Sequence, residues 1–484
     1  MSGQDMQPPK RRKELSVIYR QGKASFGNQS AHRFIRLFGF ASCLAGALCA
    51  ATVPAAAQSI SLLQDTETER ALQSYEDPLA KAAGLDPSAV RLYIVDDQSV
   101  NAFVAEGQNM FIQTGIILYV HNRNELVGVM AHETGHIRAG HLTRNSQALH
   151  KAYVPLIASM VVALAAMLAG AGSAGMAIMG LGQQAAVESL VKFTYAQEGT
   201  ADQIGMKLLT ATHQSGMGML NIFRRMAGEE AMSSSKSVQF WQTHPVGQDR
   251  VEFLQRLVDA SPYRDIKDNP ADEHEFEMIQ AKLAGYVLPV AEVLNRYPLS
   301  NTSEVARYAR AMAYMRKPDL PAAIRETNSL LKEEPENPYF HEVLGQIYVS
   351  MADPERGIAE YQKAVDILPD APELRVELAA AQIAAEKPAL SKSALDNLKI
   401  ALRQGHEDED GFAWFEAAQA YSDVGNEPMA DLATAERSYL DGDPKKTAEF
   451  ANRAMTGLPP GSPDWQRASD LYSMSGSERQ KDQN

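Results

Sequence analysis

The sequence predicts two folded parts: an α+β domain, mostly helical with a small sheet, and after it an all-α solenoid of helical repeats. Three observations predict this. Two short β-type runs, around residues 90–95 and 110–112, precede a long helical pattern. Pro335 and Pro369 stand 34 residues apart, with small and aromatic residues in matching places around them. At 484 residues, the chain is also too long for a single hydrophobic core. Apolar residues make up 45% and charged residues 22%, which suits folded rather than disordered protein.

The N-terminal 57 residues read as a targeting segment. They hold eight Lys or Arg against Asp5 and Glu14, a net of +6. The whole chain carries −14, so the remainder carries −20. An acidic body of that kind repels phosphate backbones, and no nucleic-acid partner is expected. Basic residues ending in Arg33 and Arg36 precede the apolar run Leu37 to Val53, and Ala55-Ala56-Ala57 follows. This is the order of a secretory signal, with Gln58 the first mature residue. An uncleaved anchor is the alternative, and the long basic region leaves a downstream start codon open. A lipoprotein reading of Cys43 is weak, because apolar sequence continues beyond it. Both cysteines, Cys43 and Cys49, lie in this segment. The mature chain therefore has no disulfide and no thiolate for a metal, which must be held by His and carboxylates.

From Ser59 to Ala83 the pattern is helical, with Gly84 and Pro87 at its end. Val90 to Val95 and Met110-Phe111-Ile112 read as strands. The second is expected as an edge strand on which an extended substrate adds by backbone pairing. Asn124 to Arg144 is helical in pattern. Ala152 to Val187 contains no Asp, Glu, Lys or Arg and is rich in Ala, Gly and Met. We expect a helical hairpin there, buried or in peripheral contact with a membrane surface; a membrane span and a lid are the alternatives.

Ala131-His132-Glu133-Thr134-Gly135-His136 carries the chemistry. On a helix, residues four apart share a face, so His132 and His136 can direct their imidazoles at one metal ion. Glu133 lies about 100° round the helix, beside the metal, where it can take a proton from water. A zinc site of this kind needs a third protein ligand. Glu198, 62 residues beyond His136, is the best candidate, with Asp202 one turn on as a hydrogen-bond acceptor for a ligand histidine. His141 is a rival third ligand, but five residues from His136 it points off the ligand face.

From Gly285 the chain is helical and repetitive. Between Pro335 and Pro369 lie Leu344-Gly345, Tyr348, Gly357, Tyr361 and Ala364. One period earlier stand Ala311, Tyr314 and Ala323, and a later copy shows Trp414, Ala418, Tyr421 and Ala430. Small residues where helices touch, aromatics between them and Pro at the exit form the tetratricopeptide signature. The third unit, about Pro372 to Arg403, is degenerate. Such repeats stack into a solenoid whose concave face holds peptides or partner domains. The expected boundaries are 1–57 for the signal, 58–284 for the catalytic domain with 152–187 inside it, and 285–484 for the repeats.

These motifs resemble the HtpX and BepA group of gluzincin metalloproteases, peptidase family M48. The resemblance covers Asn101-Ala102-Phe103, the strand before Thr114-Gly115, Asn124-Glu125-Leu126 with the HETGH motif, Glu198 to Gly205, and Thr243-His244-Pro245 with Arg250. With signal and repeats added, it narrows to the BepA-like periplasmic branch. It implies a gluzincin-type zinc metalloendopeptidase, one Zn2+ per chain, held by His132, His136 and Glu198 with Glu133 as catalytic base. His244 would lie near the zinc, either assisting at the oxyanion or occupying the open position in a self-inhibited state. It further implies the periplasm of a Gram-negative bacterium with outer-membrane association, and a role in outer-membrane protein assembly and quality control. The implied partners are unfolded or misassembled outer-membrane proteins and the assembly machinery, bound through the repeats. A non-proteolytic chaperone or assembly adaptor is the alternative. Where the family commonly has Arg three residues before the third ligand, this chain has Tyr195, which leaves the metal set intact.

Overall fold

A computed structural model of the chain describes residues 20–24 (backbone only), 60–105, 107–141, 194–232, 244, 246–404 and 410–482. Apart from a short strand, β1 (Arg20–Ala24), the expected signal segment lies outside the described residues. So does the apolar stretch 152–187. Among the described residues no helix is long and apolar enough to cross a membrane. From Ile60 on, the chain forms two compact units, Ile60–Ala313 and Tyr314–Asn484.

In the first unit, β2 (Ile60–Gln64), β3 (Arg91–Val95), β5 (Asn109–Gln113) and β4 (Ala102–Ala105) lie side by side in that order. β2 occupies residues expected to open the first helix, which starts only at α1 (Thr66–Ala82). Asp65 ends the strand and caps the helix, accepting from Thr68 N at 2.8 Å. β5 pairs parallel with β3 and antiparallel with β4. The expected edge strand is thus paired on both sides, and the edge falls to β4 instead. Met110, Phe111 and Ile112 are all buried, so both faces of this strand are covered as well. Tyr93, Phe111 and Phe103 stack across the three strands with centroids 5.1 and 5.0 Å apart.

After α2 (Thr114–Tyr119), α3 (Arg123–Ala139) carries the HETGH motif. Asn122 caps it by accepting from Glu125 N at 3.0 Å. The Glu125 carboxylate accepts His121 N and takes the fork of Arg225 at 3.1 and 2.7 Å. Gly140 closes the helix in the left-handed conformation, φ 64°. Helix α4 covers 194–211, and α5 (Met217–Met232) and α6 (Gln248–Asp259) follow. α3 and α4 meet almost backbone to backbone, since a Cβ on Gly135 would lie 2.6 Å from the carbonyl oxygen of Ala201.

The expected boundary at 284/285 falls inside a continuous helix, α7 (Pro270–Val287). Ala281 and Ala284 pack with Val293 of α8 (Val290–Arg296) and with Ala306, Ala309 and Ala313 of α9 (Glu304–Arg316). The compact units divide only at Ala313/Tyr314. Lys282, fully buried, pairs with Asp65 and with Glu67 at 3.3 Å, and Tyr308 donates to Glu67 at 2.6 Å. Burial raises the Glu67 carboxyl, against the nearby Lys282 charge.

In the second unit the helices are evenly spaced. First helices begin at Pro338 and Pro372, 34 residues after one another and after Glu304 near the end of the first unit, and second helices at Leu320, Pro354 and Pro388. Every interval is 34 residues. Asp or Asn caps with Pro in the first turn recur, as at Asp319, Asn337, Asp353, Asn426 and Asp443. Small residues fill the seams, for example Ala394, Ala413, Ala417 and Ala420 around Tyr421.

Gly135→Ala should force α3 and α4 apart and destabilise the first unit by about 1–3 kcal/mol. A urea melt of the variant checks this; an unchanged midpoint would mean that α4 has room to retreat.

Candidate metal centre

The Gly135 contact sets the long side chains of α3 and α4 against each other. His132 Nε2 lies 3.1 Å from His136 Nε2 and 3.3 Å from Glu198 Oε2, and His136 Nε2 lies 3.4 Å from Glu198 Oε1. His244 completes the group, its Nδ1 3.4 Å from His132 Nε2 and 3.2 Å from Glu198 Oε2. All four residues are buried, and their donor atoms lie within 4.8 Å of one another.

The spacing fits a metal. A tetrahedral centre with bonds of about 2.0–2.1 Å has donor–donor edges of about 3.3–3.4 Å, and the five distances above cluster there. The donor set, imidazole and carboxylate without thiolate, suits a divalent first-row ion. Glu133 adds a second observation: both its carboxylate oxygens are buried without a hydrogen-bond partner. His244 Nε2 stands 3.6 Å from Glu133 Oε1. A buried orphan carboxylate is costly unless something in the cavity uses it, and a water beside the donor group would.

The surroundings orient these donors. His132 Nδ1 faces Asp202 Oδ1 at 2.9 Å. Asp202 is itself forked by Arg250, Nε and Nη2 each at 2.9 Å, while Arg250 Nη1 reaches Glu198 Oε2 at 3.1 Å. Sequence reasoning named Arg250 only as part of a resemblance; its clamp on two carboxylates, one of them 48 residues away, is a tertiary contact. Burial would raise the Glu198 carboxyl, but hydrogen bonds from His132 and His244 hold it well below the usual carboxylate range. Burial likewise opposes charge on His132, yet bonds to Asp202 and Glu198 push it up to about 9. On His136, burial and the neighbouring His132 charge push the same way, well downward. Burial raises Glu133, against the charges of His244 and His132.

His141 is not among the donors. It is buried, and its Nδ1 faces the outer nitrogen of His136 at 2.9 Å. Tyr195, on the first turn of α4, is 46% exposed.

Sequence reasoning also missed Glu76, on α1. Thr134 Oγ1 lies 2.7 Å from Glu76 Oε1 and 2.7 Å from the Met130 carbonyl oxygen. One hydroxyl proton cannot serve both acceptors. Thr134 donates to Glu76 Oε1 or to the Met130 carbonyl oxygen, one at a time. Burial pushes the Glu76 carboxyl up to about 8, helped by the negative charges of Asp77 and Glu133 and opposed by the Thr134 bond.

Comparison with known proteins agrees with this geometry. Residues 66–258 match Peptidase family M48. A beta-barrel assembly-enhancing protease of Yersinia pestis is 23% identical, over 77% of this chain and 76% of its own length. The protein of the same name from Escherichia coli K12 is 22% identical, over 79% and 78%. A mitochondrial metalloendopeptidase OMA1 of Schizosaccharomyces pombe is 26% identical over 38% of this chain and 52% of its own length.

The Glu76 proton is bound more tightly in the folded than in the unfolded chain, so it stabilises the fold at low pH. That contribution should fall as pH rises from about 4.5 through about 8. Relative to Glu76→Gln, the wild type should lose up to roughly 1.4 kcal/mol per pH unit across this window. Denaturant melts of both proteins between pH 5 and 8 check it; a constant difference would mean that Glu76 titrates normally.

Proposed function

From the match of residues 66–258 to Peptidase family M48, we propose that this chain is a zinc metalloendopeptidase acting in outer-membrane protein assembly and quality control. The observation that carries the reading is the buried His132, His136, Glu198 and His244 group, with the Glu133 carboxylate beside it lacking a hydrogen-bond partner. His132, His136 and Glu198 would hold the zinc. Zinc bound there would lower the pKa of a water towards about 7 and polarise a scissile carbonyl. Glu133 would accept the water proton and pass it to the leaving amine, and its burial suits a base poised above the usual carboxylate range. Asp202, held by Arg250, keeps His132 Nε2 turned towards the other donors.

His244 occupies the corner that a water and substrate need. Its Nδ1 stands at donor distance from two of the other ligands, which supports the self-inhibited arrangement over direct assistance to catalysis. Cleavage then requires His244 to leave, and the control of access lies in whatever moves it. A purely non-proteolytic adaptor has no use for so complete a donor set.

The 34-residue spacing of helix starts and the Pro and small-residue pattern support a tetratricopeptide solenoid as the client-binding part. Unfolded or misassembled outer-membrane proteins are the clients proposed, and the name shared by the Yersinia pestis and Escherichia coli relatives supports this. The basic, apolar and small-residue order of residues 1–57 supports delivery to the periplasm.

The test is zinc content and casein cleavage of the chain from Gln58 onward. We expect about one zinc per chain and cleavage that falls at least roughly 10²-fold in Glu133→Gln with zinc retained. His244→Ala should cleave faster than wild type. A folded chain that neither binds zinc nor cleaves in any of these forms would sink the enzyme reading.

A further inference from the structure

We infer that His141 is the positioning residue for the ligand His136, doing for it what Asp202 does for His132. The inference rests on the zinc reading of the centre and deepens it. His136 turns Nε2 towards His132 and Glu198, and its other nitrogen, Nδ1, towards His141 Nδ1 at 2.9 Å. The two rings lie 4.9 Å apart at 73°. Both are more than nine-tenths buried.

The chemistry of imidazole sets the roles. A nitrogen that binds metal carries no proton, so His136 must be protonated at Nδ1 and must donate there. The acceptor within reach is His141 Nδ1. It can accept only as a lone pair, which makes His141 the neutral tautomer protonated at Nε2. The pair therefore fixes two tautomers at once, and with them the aim of His136 Nε2.

The backbone explains how His141 reaches this place. On a continued helix, a residue five positions on would be rotated by about 140° from His136. The left-handed turn at Gly140 breaks that rule. Gly140 N–H closes onto the carbonyls of His136 and Ile137, and the chain folds back over the last turn. His141 thereby lands on the outer side of His136 rather than out in front of the helix. Gln197 Nε2 approaches the His141 carbonyl at 3.5 Å, so the turn also touches the segment that carries Glu198.

The two ligand histidines are held unequally. His132 donates to a carboxylate that Arg250 clamps, whereas His136 donates to a neutral ring. A charged acceptor makes the stronger bond. His136 is the more weakly fixed arm of the centre, and the His141 contact is what keeps it in place.

The test compares the full chain with His141→Ala and His141→Asn. Asn puts its carbonyl oxygen close to where His141 Nδ1 stands, restoring an acceptor without a ring. Zinc affinity is read by chelator competition, and ligand geometry by the visible spectrum of the cobalt-substituted proteins. His141→Ala should bind zinc about 10- to 100-fold more weakly, with an altered cobalt spectrum. His141→Asn should recover most of the affinity and the wild-type spectrum. Wild-type affinity in a folded His141→Ala chain would overturn the inference while leaving the zinc centre standing. Equal loss in both variants would overturn it too, since an acceptor would then not be what matters. A wild-type chain that binds no zinc would overturn the underlying reading instead.

Discussion

The first unit is organised around the burial of ionisable groups. Histidines, carboxylates and an arginine sit together where water is largely excluded, and each such group is costly unless paired. The close approach of α3 and α4 creates this situation by pressing His132 and His136 against Glu198 and Asp202. The rest follows from compensation. Arg250 answers Asp202 and Glu198, Asp202 answers His132, and His141 answers His136. Glu133 is left without a hydrogen-bond partner. A metal at the shared corner would complete the balance by replacing the protons that the facing nitrogens would otherwise share.

What could be read from the sequence follows from the range of the interactions involved. The His132–His136 spacing is a property of one helix, and it is legible because four residues make about one turn. Glu198 and Asp202 were legible as a second one-turn pair, although their pairing with α3 depends on a glycine contact that no pattern announces. Arg250 was visible as a residue but not as a clamp. His141 was set aside by sound helical geometry that stopped applying at Gly140. Glu76 carried no local signal, because its partner Thr134 is 58 residues away.

The same contrast runs through the fold. The 34-residue repeat was legible because caps, prolines and small residues are set locally and recur with the period. Asn109–Gln113 and Arg91–Val95 were legible as strands, but their pairing with each other and with β4 was not, since pairing is decided by residues far along the chain. The division between units was placed too early for a related reason. Helix α7 has the same texture as the repeats that follow, and only its packing, with Lys282 at the centre, assigns it to the first unit.

That Lys282 cluster has a consequence for the order in which the unit can fold. Asp65 and Glu67 lie at the start of α1, whereas their partners Lys282 and Tyr308 lie near the unit's other end; Tyr308 and Glu67 are 241 residues apart. Until the chain has emerged through Tyr308, the two acids have no buried counter-charge, and hydration holds them at the surface. Loop closure over such a span is slow and is rewarded only when the last elements arrive. The Lys282 cluster can therefore close only when the last elements of the unit arrive, whatever has formed before it.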